Sequence, residues 1–174
     1  MPEATRLLVR SMEEYNCDMV ISDFYRVSGE RLAQKGDIEE DKVMSRQEFA
    51  SYMIENPADF YYGVLWNKMY RRSIIEEYHI RMDTSISWCE DFLFNLEYIR
   101  HAESFFALQV PIYYYLKRRG SLVSQGASIT NTVRMKSNIF EYYNEFYKDV
   151  YEDKDYADIR LQLYSFLWAA AKDG

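Results

Sequence analysis

Apolar residues near the start of the chain recur at helical spacing. Leu7, Leu8, Met12 and Tyr15 share one stripe, and Pro2 and Glu3 suit a helix start, so a helix is predicted over 2–17. The pattern then changes to the unbroken run Met19-Val20-Ile21-Ser22-Asp23-Phe24-Tyr25, rich enough in β-formers for a buried strand, which Ser28-Gly29 closes. From 30 to 44 the chain is polar and acidic and reads as a loop with room for an edge strand. Ser45 with Glu48 forms a capping box that opens a helix through Phe49, Tyr52 and Met53, and Asn56-Pro57 stops it. Residues 61–70 are apolar with polar residues embedded, and 71–78 suit a short helix. A second box, Ser87 with Glu90, opens a helix that turns Leu93, Leu96 and Ile99 inward and ends near Ala102. Strand-like runs at 105–110 and 112–117 are split by Pro111, which has no amide to give a ladder. Small polar residues lead to about 130, and 131–149 and 156–172 read as two helices. The expectation is an α/β body with a helical C-terminal tail.

Composition narrows the class. The chain has 174 residues, 48% hydrophobic and 28% charged, which fits one globular domain or a domain with a helical appendage. No stretch approaches the roughly 20 apolar residues of a membrane span, and residues 1–6 lack the charged-then-apolar order of a secretory signal. A net charge of -7 argues against a nucleic-acid partner held by backbone contacts. The two cysteines, Cys17 and Cys89, form no disulfide framework and suit a reducing compartment. With six glycines and no G-x-G-x-x-G or Walker-type run, the usual phosphate loop is absent.

Chemistry concentrates in Trp88-Cys89-Glu90-Asp91-Phe92-Leu93-Phe94-Asn95. Two carboxylates on the first turn of a helix have a rigid mount from which one can take a proton from a bound hydroxyl, and Trp88 offers a stacking wall for a sugar ring. The same pair also suits an ordinary helix start, with Glu90 in the cap and Asp91 at the positive end. That end favours the ionised carboxylate and so limits its basicity. Asp153-Lys154-Asp155 is a literal D-x-D, but it lies in an acidic link between helices and reads as a solvated turn. His79 and His101 are too isolated for a metal site. Adjacent carboxylates on one turn diverge, which disfavours a hydrolase using Glu90 and Asp91 across one bond.

Taken in order, Val20-Ile21-Ser22-Asp23, Leu65-Trp66-Asn67-Lys68-Met69-Tyr70-Arg71-Arg72, the Trp88–Asn95 segment, Pro111-Ile112-Tyr113-Tyr114-Tyr115 and Ser121 resemble family 2 glycosyltransferases. The likeness is to bacterial enzymes that build capsule, teichoic-acid or other surface polysaccharides, and it covers about residues 1–125. It implies an incomplete GT-A-like, Rossmann-like half, with 1–125 the acceptor-side part of a catalytic domain and 126–174 a helical extension. It implies inverting transfer of a sugar from a nucleotide-sugar donor to a saccharide or cell-surface polymer acceptor. Asp91 is then the general base and Glu90 its neighbour. Trp66, Asn67, Lys68 and Trp88 line the acceptor cleft, and Arg118, Arg119 and Ser121 meet the donor diphosphate, where arginine's fork suits phosphate oxygens. For Trp66 a core anchor is the competing role. For Lys68 it is a surface lysine with a buried stem, and for the Arg118-Arg119 turn a solvated strand end.

Two departures matter. Relatives usually carry glycine where this chain has Cys89, which changes the turn. The opening strand, the nucleobase turn and the D-x-D metal motif of the family have no counterpart here. A whole enzyme would use Mg or Mn, whereas this chain is expected to bind no metal, to be inactive alone and to be cytoplasmic, with the inner face of the membrane as an option. Without partner strands, the sheet holding Val20 to Tyr25 is expected to expose an edge or an apolar face and to self-associate. The alternative is a non-enzymatic interaction module built on the tail tyrosines Tyr142, Tyr143, Tyr147, Tyr151, Tyr156 and Tyr164.

Overall fold

Asn16 sets the first boundary. Its left-handed conformation (φ 44°, ψ 43°), which asparagine tolerates better than most residues, ends helix α1 (Ala4–Tyr15). The chain turns directly into strand β1 (Met19–Ser22), all four residues of which are buried. The computed structural model describes residues 1–57, 59–84, 89–116 and 129–168.

The sheet of β1 also contains β4 (Met44–Ser45), β5 (Lys68–Tyr70) and β6 (Ser104–Leu108), in the order β4-β6-β1-β5. β6 is parallel to β1, with Ser22 opposite Leu108, while β5 is antiparallel, with Ile21 opposite Lys68. Alternation along the strands divides the core. Val20 and Phe106 join Leu8, Cys17 and Ile112 under α1, where Tyr15 stacks on Phe106 at 3.8 Å. Met19, Ile21, Phe105 and Ala107 belong to the main cluster on the other face.

The apolar run 19–25 is not one strand, contrary to expectation. It breaks at Asp23, and β2 (Phe24–Ser28) pairs in a second sheet, between β3 (Arg31–Lys35) and β7 (Tyr114–Leu116). The two runs on either side of Pro111 also part between the sheets, one forming β6 in the first and the other β7 in the second. The two crossings are stitched together at Asp23. Its N–H donates to Leu108 C=O (3.1 Å), its C=O accepts from Ile112 N–H (3.1 Å), and Tyr25 N–H donates to Tyr113 C=O (2.8 Å). Hydropathy cannot show the switch, because apolar residues serve either sheet. β1 is paired on both sides, so the outer strands of its sheet are β4 and β5. Gly29, at φ +61°, turns β2 into β3, which is the exposed strand anticipated in the polar stretch.

Helices α2 (Arg46–Glu55), α3 (Phe60–Gly63), α4 (Arg72–Glu77), α5 (Glu90–His101), α6 (Ile129–Val150) and α7 (Asp153–Trp168) complete the described chain. The Ser45–Glu48 capping box is present, with both reciprocal hydrogen bonds made. α6 lies on α2 through three tyrosine hydroxyls. Tyr143 donates to Met53 C=O (3.1 Å), Tyr147 to Ala50 C=O (2.8 Å) and Tyr151 to Gln47 C=O (3.1 Å). Ile139, Tyr143, Phe146, Tyr147 and Leu163 sit in the same cluster as β1. The tail therefore spends much of its aromatic surface on its own body, leaving Tyr142 and Tyr164 exposed. Among the described residues no helix is long and apolar enough to cross a membrane.

Candidate active site

Only Ala102 and Glu103 separate α5 from β6, so the helix runs back along the strand. Its N-terminus is thereby carried to the carboxyl ends of the parallel strands β1 and β6, where open α/β sheets place their ligand sites. Cys89 precedes the helix in the left-handed conformation (φ 67°, ψ 17°) and makes no side-chain cap hydrogen bond. The helix thus begins at Glu90 behind Cys89 rather than behind the Ser87 cap expected of an S-x-x-E box. Ser87 and Trp88 lie outside the described residues. A left-handed backbone is what glycine adopts freely, so a cysteine here holds a strained turn.

Asp91 is half-buried at this start. Burial, and then the negative charge of Glu90, push its carboxyl above the ordinary aspartate value, while Leu65 N–H and Lys68 pull it down. The helix end alone favours the ionised form, so burial and Glu90 supply the basicity that the helix start withholds. Burial together with Glu90 and Asp91 pushes the Cys89 thiol up to about 11, which leaves it protonated and a poor nucleophile at neutral pH.

Lys68 is neither a surface lysine nor open to a cleft. Its head is buried, and Nζ donates to Tyr61 C=O (2.9 Å), Val64 C=O (2.6 Å) and Asn67 Oδ1 (2.8 Å). Those acceptors use all three protons of an ammonium. Burial pushes its pKa well below the ordinary lysine value, against the opposing charges of Asp91 and Asp59. Asn67 is fully buried and donates to Ser22 C=O (3.1 Å) and Tyr61 C=O (3.0 Å). Asn95, also fully buried, donates to Tyr62 C=O (3.0 Å), Gly63 C=O (2.9 Å) and Val64 C=O (3.4 Å), and its Oδ1 accepts from the Tyr70 hydroxyl (2.6 Å). These three side chains tie down the carbonyls of 61–64 and fix the turn that leads into Leu65 and Trp66. Trp66, half-buried, stacks with Tyr113 (4.3 Å) and Tyr115 (5.8 Å) and meets Phe24 edge-on (4.9 Å). The structure thus groups Trp66, Asn67, Lys68, Glu90 and Asp91 at one end of the sheet. Trp88, Arg118, Arg119 and Ser121 lie outside the described residues.

Asn95, Tyr70 and Asp23 were not singled out from sequence as site residues. A buried asparagine amid Leu93, Leu96 and Ile99 was the available signal for the first. Asp23 ends β1, is 6% exposed, and accepts from Gln34 Nε2 (2.8 Å). Burial raises its carboxyl above the ordinary value, with the Gln34 bond opposing. Asp153 and Asp155 are exposed on the first turn of α7. Among the described residues no group of three or more His, Cys, Asp and Glu side chains could hold a metal ion, so the cation implied for a whole enzyme finds no ligand set in them.

The fold is a mixed α/β arrangement with a helical C-terminal region, and it is similar to that of a solved protein. S. aureus TarS 1-349 in complex with UDP-GlcNAc aligns with a TM-score of 0.61 at 18% identity, covering 95% of this chain and 44% of that one. A second structure of S. aureus TarS 1-349 aligns with a TM-score of 0.61 at 13% identity, over 98% of this chain and 44% of that one. In sequence the chain is similar to the uncharacterized glycosyltransferase EpsJ of Bacillus subtilis (strain 168), with 27% identity over 116 residues. That match covers 66% of this chain and 34% of EpsJ, so the chain spans about a third of that relative. No protein-family model matches the sequence.

Proposed function

We propose that residues 1–125 form the acceptor-side part of an inverting, nucleotide-sugar-dependent glycosyltransferase of the family 2 type. The observation that carries the reading is Asp91, a half-buried carboxylate mounted on a helix start at the carboxyl end of the sheet, with its proton affinity raised by burial and by Glu90. The similarity to EpsJ and the fold shared with a UDP-GlcNAc-binding transferase support the same reaction class.

In this reading Asp91 accepts the proton of the acceptor hydroxyl as its oxygen attacks the anomeric carbon. The bond from that carbon to the diphosphate breaks on the opposite face, and the nucleoside diphosphate leaves with the electron pair. Glu90 keeps Asp91 basic through its charge. Asn67 and Lys68 work from beneath, holding the turn that carries Trp66. The family resemblance assigns Trp88 to acceptor binding and Arg118, Arg119 and Ser121 to the diphosphate. The rest of the donor and a divalent cation are held by residues outside this chain, in a cytoplasmic enzyme that extends a saccharide or cell-surface polymer.

Two measurements test this. In the protein encoded by the whole reading frame, Asp91→Asn abolishes transfer to a saccharide acceptor with the fold intact; retained turnover refutes the base assignment. Calorimetry of this chain with UDP-GlcNAc and manganese gives no saturable heat. Tight binding would place the donor site inside the chain and overturn the acceptor-side assignment.

A further inference from the structure

A cleft of about 570 Å³ opens on the α1 side of the sheet, between α1, the outgoing end of β6 and the loop that joins β3 to β4. Helix α5 lies across the sheet from it. Val20 and Phe106 pack under α1, whereas Ile21 and Phe105 join Phe92, Leu96 and Ile99 of α5 in the main cluster. The floor of the cleft is apolar, made by Leu7, Tyr15, Phe106 and Leu108, with the Tyr15 ring fixed by its stack on Phe106. The rim carries three carboxylates, Glu14 from α1 and Glu39 and Asp41 from the loop, against one cation, Arg10. Arg10 Nε is 3.5 Å from Glu14, so the charges of Glu39 and Asp41 stay unmatched among the residues of the cleft.

Ser11 is the second, independent sign. It lines the cleft, is only 7% exposed, and its hydroxyl makes no hydrogen bond with any described residue. A serine inside a helix ordinarily gives its proton to a carbonyl one turn back, as Ser51 does to Glu48 C=O at 2.6 Å. A buried hydroxyl left without a protein partner takes one from whatever fills the space beside it.

We propose that this cleft is a second binding site, for a saccharide that carries a protonated amine. The charge balance selects a cation and repels phosphate and uronate groups. Its volume lies within the roughly 300–1,000 Å³ of small-molecule sites, and an apolar floor with a few polar groups on the walls is their usual construction. The Ser11 hydroxyl and the Gln109 amide are neutral and would be left idle by an ammonium alone, but they match ring hydroxyls, which both donate and accept. The site lies on the opposite face of the sheet from α5 and does not depend on the transferase reading.

The test is an amide NMR titration of the nitrogen-15-labelled chain with glucosamine, at slightly acidic pH where the amine is protonated and at constant ionic strength. Glucosamine produces saturable shifts at Leu7, Ser11, Gln109 and Val110, and none at Asp153 and Asp155, which are exposed acids outside the cleft. N-acetylglucosamine, a like ring without the charge, binds about tenfold more weakly, and so does lysine amide, a like charge without the ring. Glu39→Gln combined with Asp41→Asn, both exposed positions, lowers glucosamine affinity about tenfold and leaves the rest of the spectrum unchanged. Ser11→Ala lowers it about threefold while the melting temperature stays the same or rises, because an unpartnered hydroxyl holds nothing in the fold. Shifts that do not saturate, that appear equally at Asp153 and Asp155, or that are as strong with lysine amide or N-acetylglucosamine overturn the proposal. A lowered melting temperature in Ser11→Ala also overturns it, by giving that hydroxyl a structural partner. No turnover is read, so the outcome is independent of whether Asp91 is a base.

Discussion

Replacing Asn95 by alanine is the sharpest test of the cage behind the site. The side chain is fully buried, donates two short bonds to Tyr62 and Gly63 carbonyls at 3.0 and 2.9 Å, and accepts from the Tyr70 hydroxyl at 2.6 Å. Alanine leaves those three groups without that partner. A buried polar group left unsatisfied costs about 1–3 kcal/mol. The Val64 bond at 3.4 Å adds little, because Lys68 also holds that carbonyl. Allowing for relaxation and for water entering the space, the loss should be about 3–4 kcal/mol, a large share of the roughly 5–15 kcal/mol that holds a domain together. In a urea titration with a slope near 2 kcal/mol per molar, the midpoint falls by about 1.5–2 M. Asn95→Asp keeps the volume but points a carboxylate at carbonyl oxygens. Its folded pKa is raised, so this variant is more stable at low pH and loses stability as pH rises through that pKa. A loss below about 1 kcal/mol for Asn95→Ala, with the urea slope unchanged, would refute the view that this residue ties down the 61–64 carbonyls.

Cys89→Gly relieves a left-handed backbone at φ 67° and should leave stability unchanged or raise it by up to about 1 kcal/mol, whereas Cys89→Val should lose about 2 kcal/mol in the same titration. Gly36→Ala would set a methyl 2.1 Å from Asp23 Oδ1 and should cost about 1–3 kcal/mol, a penalty that shrinks when Asp23 is also replaced by alanine; equal costs in both backgrounds would rule out that clash. The Ser45 backbone N–H, then Lys42 and the Ser45 hydroxyl, hold Glu48 down at about 2. Because that value is depressed, its contribution is complete above the ordinary glutamate pKa and fades as pH falls toward 2, so a Glu48 carboxyl titrating near 4.5 by NMR would contradict the box.

Features set by near neighbours were legible in the sequence. The Ser45–Glu48 cap, the stop at Asn56, the stripe of α1 and the placing of Glu90 and Asp91 on a helix start each depend on residues a few positions apart. What was missed depends on distant partners. The switch of sheets at Asp23 is written in bonds to Leu108 and Ile112, more than eighty residues away. Lys68 is the exception: it read as an acceptor-cleft residue or a surface lysine with a buried stem, because its acceptors, though only four and seven residues back, are backbone carbonyls that no side-chain pattern marks. Asn95 reads as a polar lapse in an apolar helix face until Tyr62, Gly63 and Tyr70 are brought to it. The cysteine at 89 was noticed as a departure, but only the dihedral angle shows that the position favours glycine.

The three hydroxyls that bind α6 to α2 act as a vernier. Tyr143, Tyr147 and Tyr151 recur every four residues, about 6 Å along their helix, while Met53, Ala50 and Gln47 recur every three, about 4.5 Å along theirs. Two scales of unequal pitch coincide at one setting only, and here they do so with the helices inclined and running in opposite directions. Sliding α6 by a turn would not pass the bonds to the next carbonyls; it would break them together. An insertion before Tyr143 could be taken up by the preceding segment. One residue added between Tyr143 and Tyr151 would rotate part of the scale by about 100° and release α6 from α2.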